Sequence, residues 1–123
     1  MMRIGVTGSS QLNDNERIQA KRILREILRQ YGPDDELHHG DSTGVDSICD
    51  FLGKHYGLQV FPHPAKVKQW EGEGGFKQRN KRVALSVEKL YAIHSPRSQT
   101  GGTIWTYNFA KRQNVETQWI ELT

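Results

Sequence analysis

The stretch "LHHGDSTGVDSICD", Leu37 to Asp50, decides how this chain is read. It opens as the end of an apolar strand and closes as the first turns of a helix. Between the two lie Gly40 and Gly44, Asp41, Ser42 and Thr43. A strand that passes into a helix through so few residues is half of a strand–helix–strand unit. Such units join parallel strands through right-handed crossovers. Thr43 followed by Asp46 has the spacing of a capping box, with Asp in place of Glu or Gln. An acid in the first turn also suits the helix dipole. Val45, Ile48, Cys49, Leu52 and Tyr56 then share one stripe, which predicts a helix over about 43–56.

The same alternation extends in both directions. "RIGVTG" (3–8) is a short β-branched run that ends at glycine, a buried strand in form. After it, Ala20, Ile23, Leu24, Ile27, Leu28 and Tyr31 fall on one helical face within 13–32. Asn13 with Glu16 caps the start of that helix, and Gly32-Pro33 stops it. "ELHH" (36–39) is the second strand and "LQVFP" (58–62) the third. Downstream lie a helix in "KQRNKRVALSV", a strand in "KLYAIHS", a helix in "TIWTYNFAKRQN" and a strand in "ETQWIEL". Five strands and four helices in alternation predict a small doubly wound α/β domain, with helices on both faces of a parallel sheet. The expected strand order is 3-2-1-4-5. It reverses direction between strands 1 and 4, and such sheets bind ligands beyond the carboxyl ends of the strands at that point.

Composition narrows the class. The 123 residues suit one domain with a core of its own, here taken as 1–123. With 35% hydrophobic and 25% charged residues the chain reads as soluble and globular. No apolar run approaches the roughly 18 residues of a membrane span. "MMRIGVTGSS" lacks the apolar core of a signal peptide, so a cytoplasmic protein is expected. A net charge of +3 permits an anionic ligand or nucleic acid without demanding either. The single Cys49 excludes an internal disulfide and any multi-cysteine zinc site, and its place in a helical stripe predicts a buried thiol. No metal site is expected. His38, His39, His55, His63 and His94 are scattered, and adjacent His38 and His39 would point to opposite faces of a strand. Either His39 or His94 could still reach the cleft. No cofactor is called for.

Four loops at the predicted switch point carry the chemistry. In the first, Gly8 turns the backbone sharply, and Ser9 and Ser10 bring hydroxyls without bulk ahead of a helix N-terminus. This is not the G-x-G-x-x-G dinucleotide fingerprint. In the second, Gly40 and Gly44 let backbone approach a neighbour or a ligand. Asp46 has a capping duty there, while Asp41 has no evident structural role and could meet a ribose hydroxyl. In the third, "WEGEGGFKQRNKR" sets Trp70 to stack on a base or anchor the loop, and Arg79 to grip phosphate or carboxylate beside Asn80. Lys81 and Arg82 read as a solvated helix face. In the fourth, Gly101, Gly102 and Thr103 open a helix after a buried strand, the best phosphate cradle in the chain. No Lys follows, so it is not a Walker A loop.

Taken together, these loops resemble the SLOG superfamily, whose fold is Rossmann-like. That group holds the "lonely guy" type of nucleotide phosphoribohydrolase and the Rossmann-like domain of DNA-processing protein A. The resemblance covers nearly the whole chain. "RIGVTGSS" is similar to the family's first strand and glycine-serine turn. Gly40, Gly44 and Asp46 fall on its G-x-x-x-G-x-D. Trp70, Gly75, Arg79 and Asn80 match the short-chain pattern, and Gly102-Thr103 its phosphate-binding Gly-Thr. The phosphoribohydrolases carry P-G-G-x-G-T-x-x-E. Here Ser98, Gln99 and Thr100 stand in place of Pro-Gly-Gly, and Thr106 stands where the catalytic glutamate belongs.

The resemblance implies a module that binds a nucleotide or a nucleotide-derived small molecule, with a sensor as one form of it. Gly8, Ser9 and Gly101 to Thr103 would hold phosphate with Arg79, Asp41 or Asp46 would address ribose, and Trp70 would cover the base. An N-glycosidic hydrolase is the enzyme alternative. It needs a carboxylate at the sugar, with Asp41, Asp46 and Arg79 as catalytic candidates and Glu73 as a further substitute for the glutamate. A single-stranded DNA binder, stacking bases on Trp70, Trp105 and Phe109, is the third. The resemblance also implies a homodimer, for which Trp105 and Phe109 could supply contacts that core packing would explain equally well.

Overall fold

A computed structural model describes residues 1–123. The elements follow in the order β1 (Arg3–Gly8), α1 (Asp14–Leu28), β2 (Glu36–His39), α2 (Val45–His55), β3 (Gln59–Pro62), α3 (Phe76–Leu85), β4 (Lys89–His94), α4 (Gly102–Arg112) and β5 (Glu116–Glu121). The five strands form one sheet in the order β3-β2-β1-β4-β5, and every pairing is parallel. The expected doubly wound order is therefore the observed one.

Each strand needs a crossover, and the helices cover the sheet in two pairs. Helices α1 and α2 pack together on one face, α3 and α4 on the other. Under the first pair lies the larger core, built on Ile4, Val6, Leu24, Leu28, Leu37, Val45 and Ile93. Under the second lie Val83, Ala84, Val87, Leu90 and Ala110. The central strands β1 and β4 are buried on both sides, which is why they read as unbroken apolar runs.

Boundaries shifted where propensity met packing. α1 stops at Leu28, so Tyr31 lies beyond the helix. It still packs against the core, and its hydroxyl meets that of Tyr91 at 2.8 Å. Asn13 and Glu16 do form the capping box of α1.

The box expected at the head of α2 does not form. The cap residue is Gly44, and no side chain caps the helix. Thr43 Oγ1 instead donates to the Ser10 carbonyl at 2.9 Å. Val45 N–H donates to the Ser9 carbonyl at 3.1 Å, so a backbone carbonyl of the β1–α1 loop takes over part of the cap's work. Gly44 has φ +74°, and a Cβ there would lie 2.6 Å from the Ser10 carbonyl oxygen. Only glycine fits where the two loops touch.

Candidate functional site

Beyond the carboxyl ends of the strands lies a cleft of about 680 Å³. Its wall is drawn from all four loops that the strand order singles out. Of the residues expected there, Gly8, Ser10, Asp46, Trp70, Arg79, Asn80, Gly101, Gly102 and Thr103 line it. Ser9, Gly40, Asp41 and Gly44 do not, and neither do His39, Glu73, His94 or Thr106.

Three of the absent residues build the floor instead. Ser9 is buried, and its Oγ accepts from the Ser95 N–H at 2.8 Å, which ties the β1 loop to the β4 loop. Gly44 seats α2 against the Ser9–Ser10 backbone. Gly40 makes room for Arg79, since a Cβ on it would lie 2.9 Å from Arg79 Cδ. Asp41 is exposed in the left-handed region at φ 58°, which Asp tolerates. Its N–H donates to His39 Nδ1, so His39 carries its proton on Nε2 and donates to Asp50 at 2.9 Å. That is a structural duty for the Asp41 backbone. His38 points the other way, to His63 and Glu36, each at 2.8 Å.

For an anion the cleft offers one clear seat. α4 begins at Gly102 with Gly101 as its cap, and no side chain caps it. The first bond of its ladder runs from Trp105 N–H to the Gly101 carbonyl. The amides of Gly102, Thr103 and Ile104 donate to no protein group. α1, whose N-terminus lies at the same edge of the sheet, is capped by Asn13. The α3 amides of Phe76 and Lys77 are spent on the carbonyls of Gln69 and Trp70. So α4 alone presents a full first turn of free donors to the cleft, with the positive end of its dipole. Its glycines are not forced by packing. A Cβ on Gly101 would meet nothing within 4 Å, and one on Gly102 would make only ordinary contacts, 3.8 Å to Trp70 and 3.9 Å to Asn80.

The loop that leads into α4 is anchored at its base. Buried Glu16 accepts from Ser95 Oγ at 2.5 Å, from Arg97 and from the Asn13 N–H. The Arg97 guanidinium, with these hydrogen bonds, holds the Glu16 carboxyl down to about 2.

Arg79 and Asn80 on α3 and Asp46 on α2 complete the polar lining, all three buried, with Asn80 Nδ2 3.9 Å from where a Cβ on Gly102 would stand. Arg79 donates through Nε to Asn80 Oδ1 at 2.7 Å and through Nη1 to the Gly40 carbonyl. Burial lowers its pKa, and Asp46 and Asp41 oppose that shift. The group stays a cation. Asp46 Oδ2 accepts from the Ser42 N–H at 3.2 Å, while Oδ1 has no partner. Burial pushes the Asp46 carboxyl up to about 6, against the pull of His39, the Ser42 amide, Arg79 and the Gly40 amide.

An aromatic wall closes the side. Trp70 meets Trp105 edge-on at 5.4 Å, and Trp105 stacks on Phe109 at 5.3 Å. Phe76 also lines the cleft, with the Arg79 guanidinium 5.3 Å from its ring centre. The sequence reading missed Thr7, Ser42, Phe76 and Thr100 as lining residues, and noted Trp105 only for stacking or self-association. The signal for Phe76 and Trp105 was available, since each follows within three residues of a Gly-Gly or Gly-Thr that opens a helix. No group of three or more His, Cys, Asp or Glu side chains is placed to hold a metal ion. Cys49 is buried within α2 and donates to the Asp46 carbonyl. No helix is long and apolar enough to cross a membrane.

No protein-family model matches the chain, and no curated protein matches it by sequence. Solved structures do. The molybdenum cofactor carrier protein of Chlamydomonas reinhardtii superimposes with a TM-score of 0.71 at 18% identity, over 97% of this chain and 76% of that one. DNA processing protein A of Helicobacter pylori, whose structure describes single-stranded DNA binding, gives 0.63 at 11% identity, over 96% and 64%. TM1055, a structural-genomics target, gives 0.61 at 14% identity, over 98% and 92%. Strand order and these three likenesses agree: the chain has a Rossmann-like α/β fold, the one these structures share.

Proposed function

We propose that the cleft binds a small molecule that carries a phosphate and a planar ring, a nucleotide or a compound derived from one. The observation that carries this reading is the start of α4. Three amides there have no protein partner, and the glycines at 101 and 102 leave the side-chain space beside them open. A phosphate fits that seat in size, charge and acceptor number. Arg79 adds a cation to the lining of the same cleft, and Trp70, Phe76 and Trp105 supply the ring's surroundings. The carrier protein among the structural neighbours, which is named for a molybdenum cofactor, supports binding without turnover as the primary role.

Hydrolysis has less support. Thr106, at the glutamate's place, is buried and donates its hydroxyl to the Gly102 carbonyl at 2.8 Å. Asp46 is the one carboxylate that lines the cleft.

Calorimetric titration of guanosine and adenosine monophosphates into the wild type and Gly102→Val tests the reading. The wild type binds, and the valine methyls, pushed toward Trp70 and Asn80, abolish binding while the fold holds. Equal binding by the variant would move the phosphate elsewhere.

A second reading, single-stranded nucleic acid, rests on the cations laid over the aromatic wall. Lys77 Nζ stands 5.9 Å from the Trp105 ring and Lys81 Nζ 5.9 Å from that of Phe109. It predicts oligonucleotide affinity that falls steeply with salt. Affinity that ignores salt, or no affinity, removes it.

A further inference from the structure

We propose that Asp46 selects the ligand: its carboxylate accepts a hydrogen bond from an uncharged donor of the bound molecule, while α4 holds the phosphate at the other end. This rests on the reading above and gives it a chemical class. The ligand is a monophosphate ester with a hydroxyl or ring N–H facing α2, not an inorganic polyphosphate or a molecule anionic at both ends.

Asp46 carries an unfilled valence. Asp46 is 5% exposed, lines the cleft, and leaves Oδ1 without a partner. It is the one buried side-chain oxygen or nitrogen in the chain in that condition. A buried acceptor left unpaired is costly, and folded proteins rarely leave one without a use. Arg79 is the obvious ion-pair partner. Yet its recorded bonds, from Nε to Asn80 and from Nη1 to the Gly40 carbonyl, leave Asp46 aside, and it forms no bridge to that carboxylate. The acid is therefore held beside a cation without being quenched by it. A second anion would be repelled by this carboxylate at low dielectric. A neutral donor is drawn to it, and a bond to a charged acceptor is stronger than a neutral one.

Position adds the second constraint. Asp46 belongs to α2 and the free amides to α4, helices on opposite faces of the sheet, and both open onto one cleft whose lining includes Trp70, Phe76 and Trp105. A ligand that spans them has a phosphate at one end, a flat middle or flank, and a donor at the other. The charged groups that act on Asp46 are His39 at the end of β2 and Arg79 on α3; the Cys49 thiol on α2 is pushed up by burial, and Asp46 adds to that.

The donor has two possible sources, a sugar hydroxyl or a ring N–H, and the test separates them. Guanosine monophosphate, its 2′,3′-dideoxy analogue, ribose 5-phosphate and inorganic phosphate are titrated into wild type and Asp46→Asn, with folding checked by circular dichroism. The amide keeps an acceptor for the Ser42 N–H but offers the ligand a donor. The variant should bind guanosine monophosphate about tenfold or more weakly, and inorganic phosphate unchanged. If the dideoxy analogue no longer distinguishes the two proteins, the partner is a hydroxyl. If it still does and ribose 5-phosphate does not, the partner is the ring.

Equal affinity of both proteins for guanosine monophosphate overturns the proposal and leaves the phosphate seat standing. Failure of the wild type to bind any of the four overturns both. A check independent of the variant uses 1-naphthyl phosphate, which keeps a flat ring and a phosphate but has no donor. Wild type should prefer guanosine monophosphate by about tenfold or more. Equal affinity refutes the role of Asp46.

Discussion

Asp46→Asn should make the protein more stable, and the gain should depend on pH. The ionised carboxylate is expensive where it sits. Burial raises its carboxyl from 3.8 to about 6, net of the help from His39, the Ser42 amide and Arg79. At about 1.4 kcal/mol per pH unit, that difference costs the folded state about 3 kcal/mol near pH 7.5. The sign follows from proton uptake. The unfolded chain releases this proton near 3.8 and the folded chain near 6. Between those values folding takes up a proton, so the contribution is most favourable below 3.8 and is lost as pH rises through 6. Asparagine resembles the protonated acid in shape and, like it, carries no charge to bury, so the variant escapes that cost. Its advantage should be about 3 kcal/mol near pH 7.5 and shrink to about 1 kcal/mol near pH 4.5. Urea denaturation of both proteins at the two pH values measures it. Other titrating groups cancel in the difference. A variant less stable than wild type near pH 7.5, or an advantage that does not change with pH, would refute the reasoning. The same residue should then lose ligand and gain stability on one substitution, the trade expected of a strained binding group.

Two further outcomes follow from the same geometry. Gly44→Ala puts a Cβ 2.6 Å from the Ser10 carbonyl oxygen at φ +74°, so the variant should lose about 3 kcal/mol or more in denaturation, or fail to fold; a loss below about 1 kcal/mol would mean that the two loops can part without consequence. Glu16 stabilises the fold above its ordinary 4.5, and that contribution is lost as pH falls toward about 2; Glu16→Gln should flatten this acid limb when followed by circular dichroism, and parallel acid curves for the two proteins would show that Arg97 does not hold it.

Much of the fold could be read from the chain because the relevant physics is local. Strands β1 and β4 are buried on both faces and advertise it as unbroken apolar runs. Asn13 and Glu16 meet through a box whose two bonds lie within four residues, so their spacing was enough. Alternation of strand and helix, with the right-handed rule, then left few topologies, and the strand order named the loops that form the cleft. Nine of the thirteen expected site residues line it for that reason.

The expectations that failed were settled by contacts distant in sequence. Thr43 and Asp46 have the spacing of a box, but Thr43 is drawn to the Ser10 carbonyl, 33 residues away. Asp46 thereby turned from a cap into a buried acid with a free oxygen. Gly40 left open a neighbour or a ligand, and the neighbour is Arg79, 39 residues on. Asp41, which had no evident duty, turned out to set the His39 tautomer through its backbone. Sequence by itself determined which elements form and which loops meet, because periodicity and crossover handedness act over a few residues at a time. Tertiary structure alone decided which polar groups in those loops are spent on one another and which stay free, because a hydrogen bond goes to whichever partner the fold brings within reach.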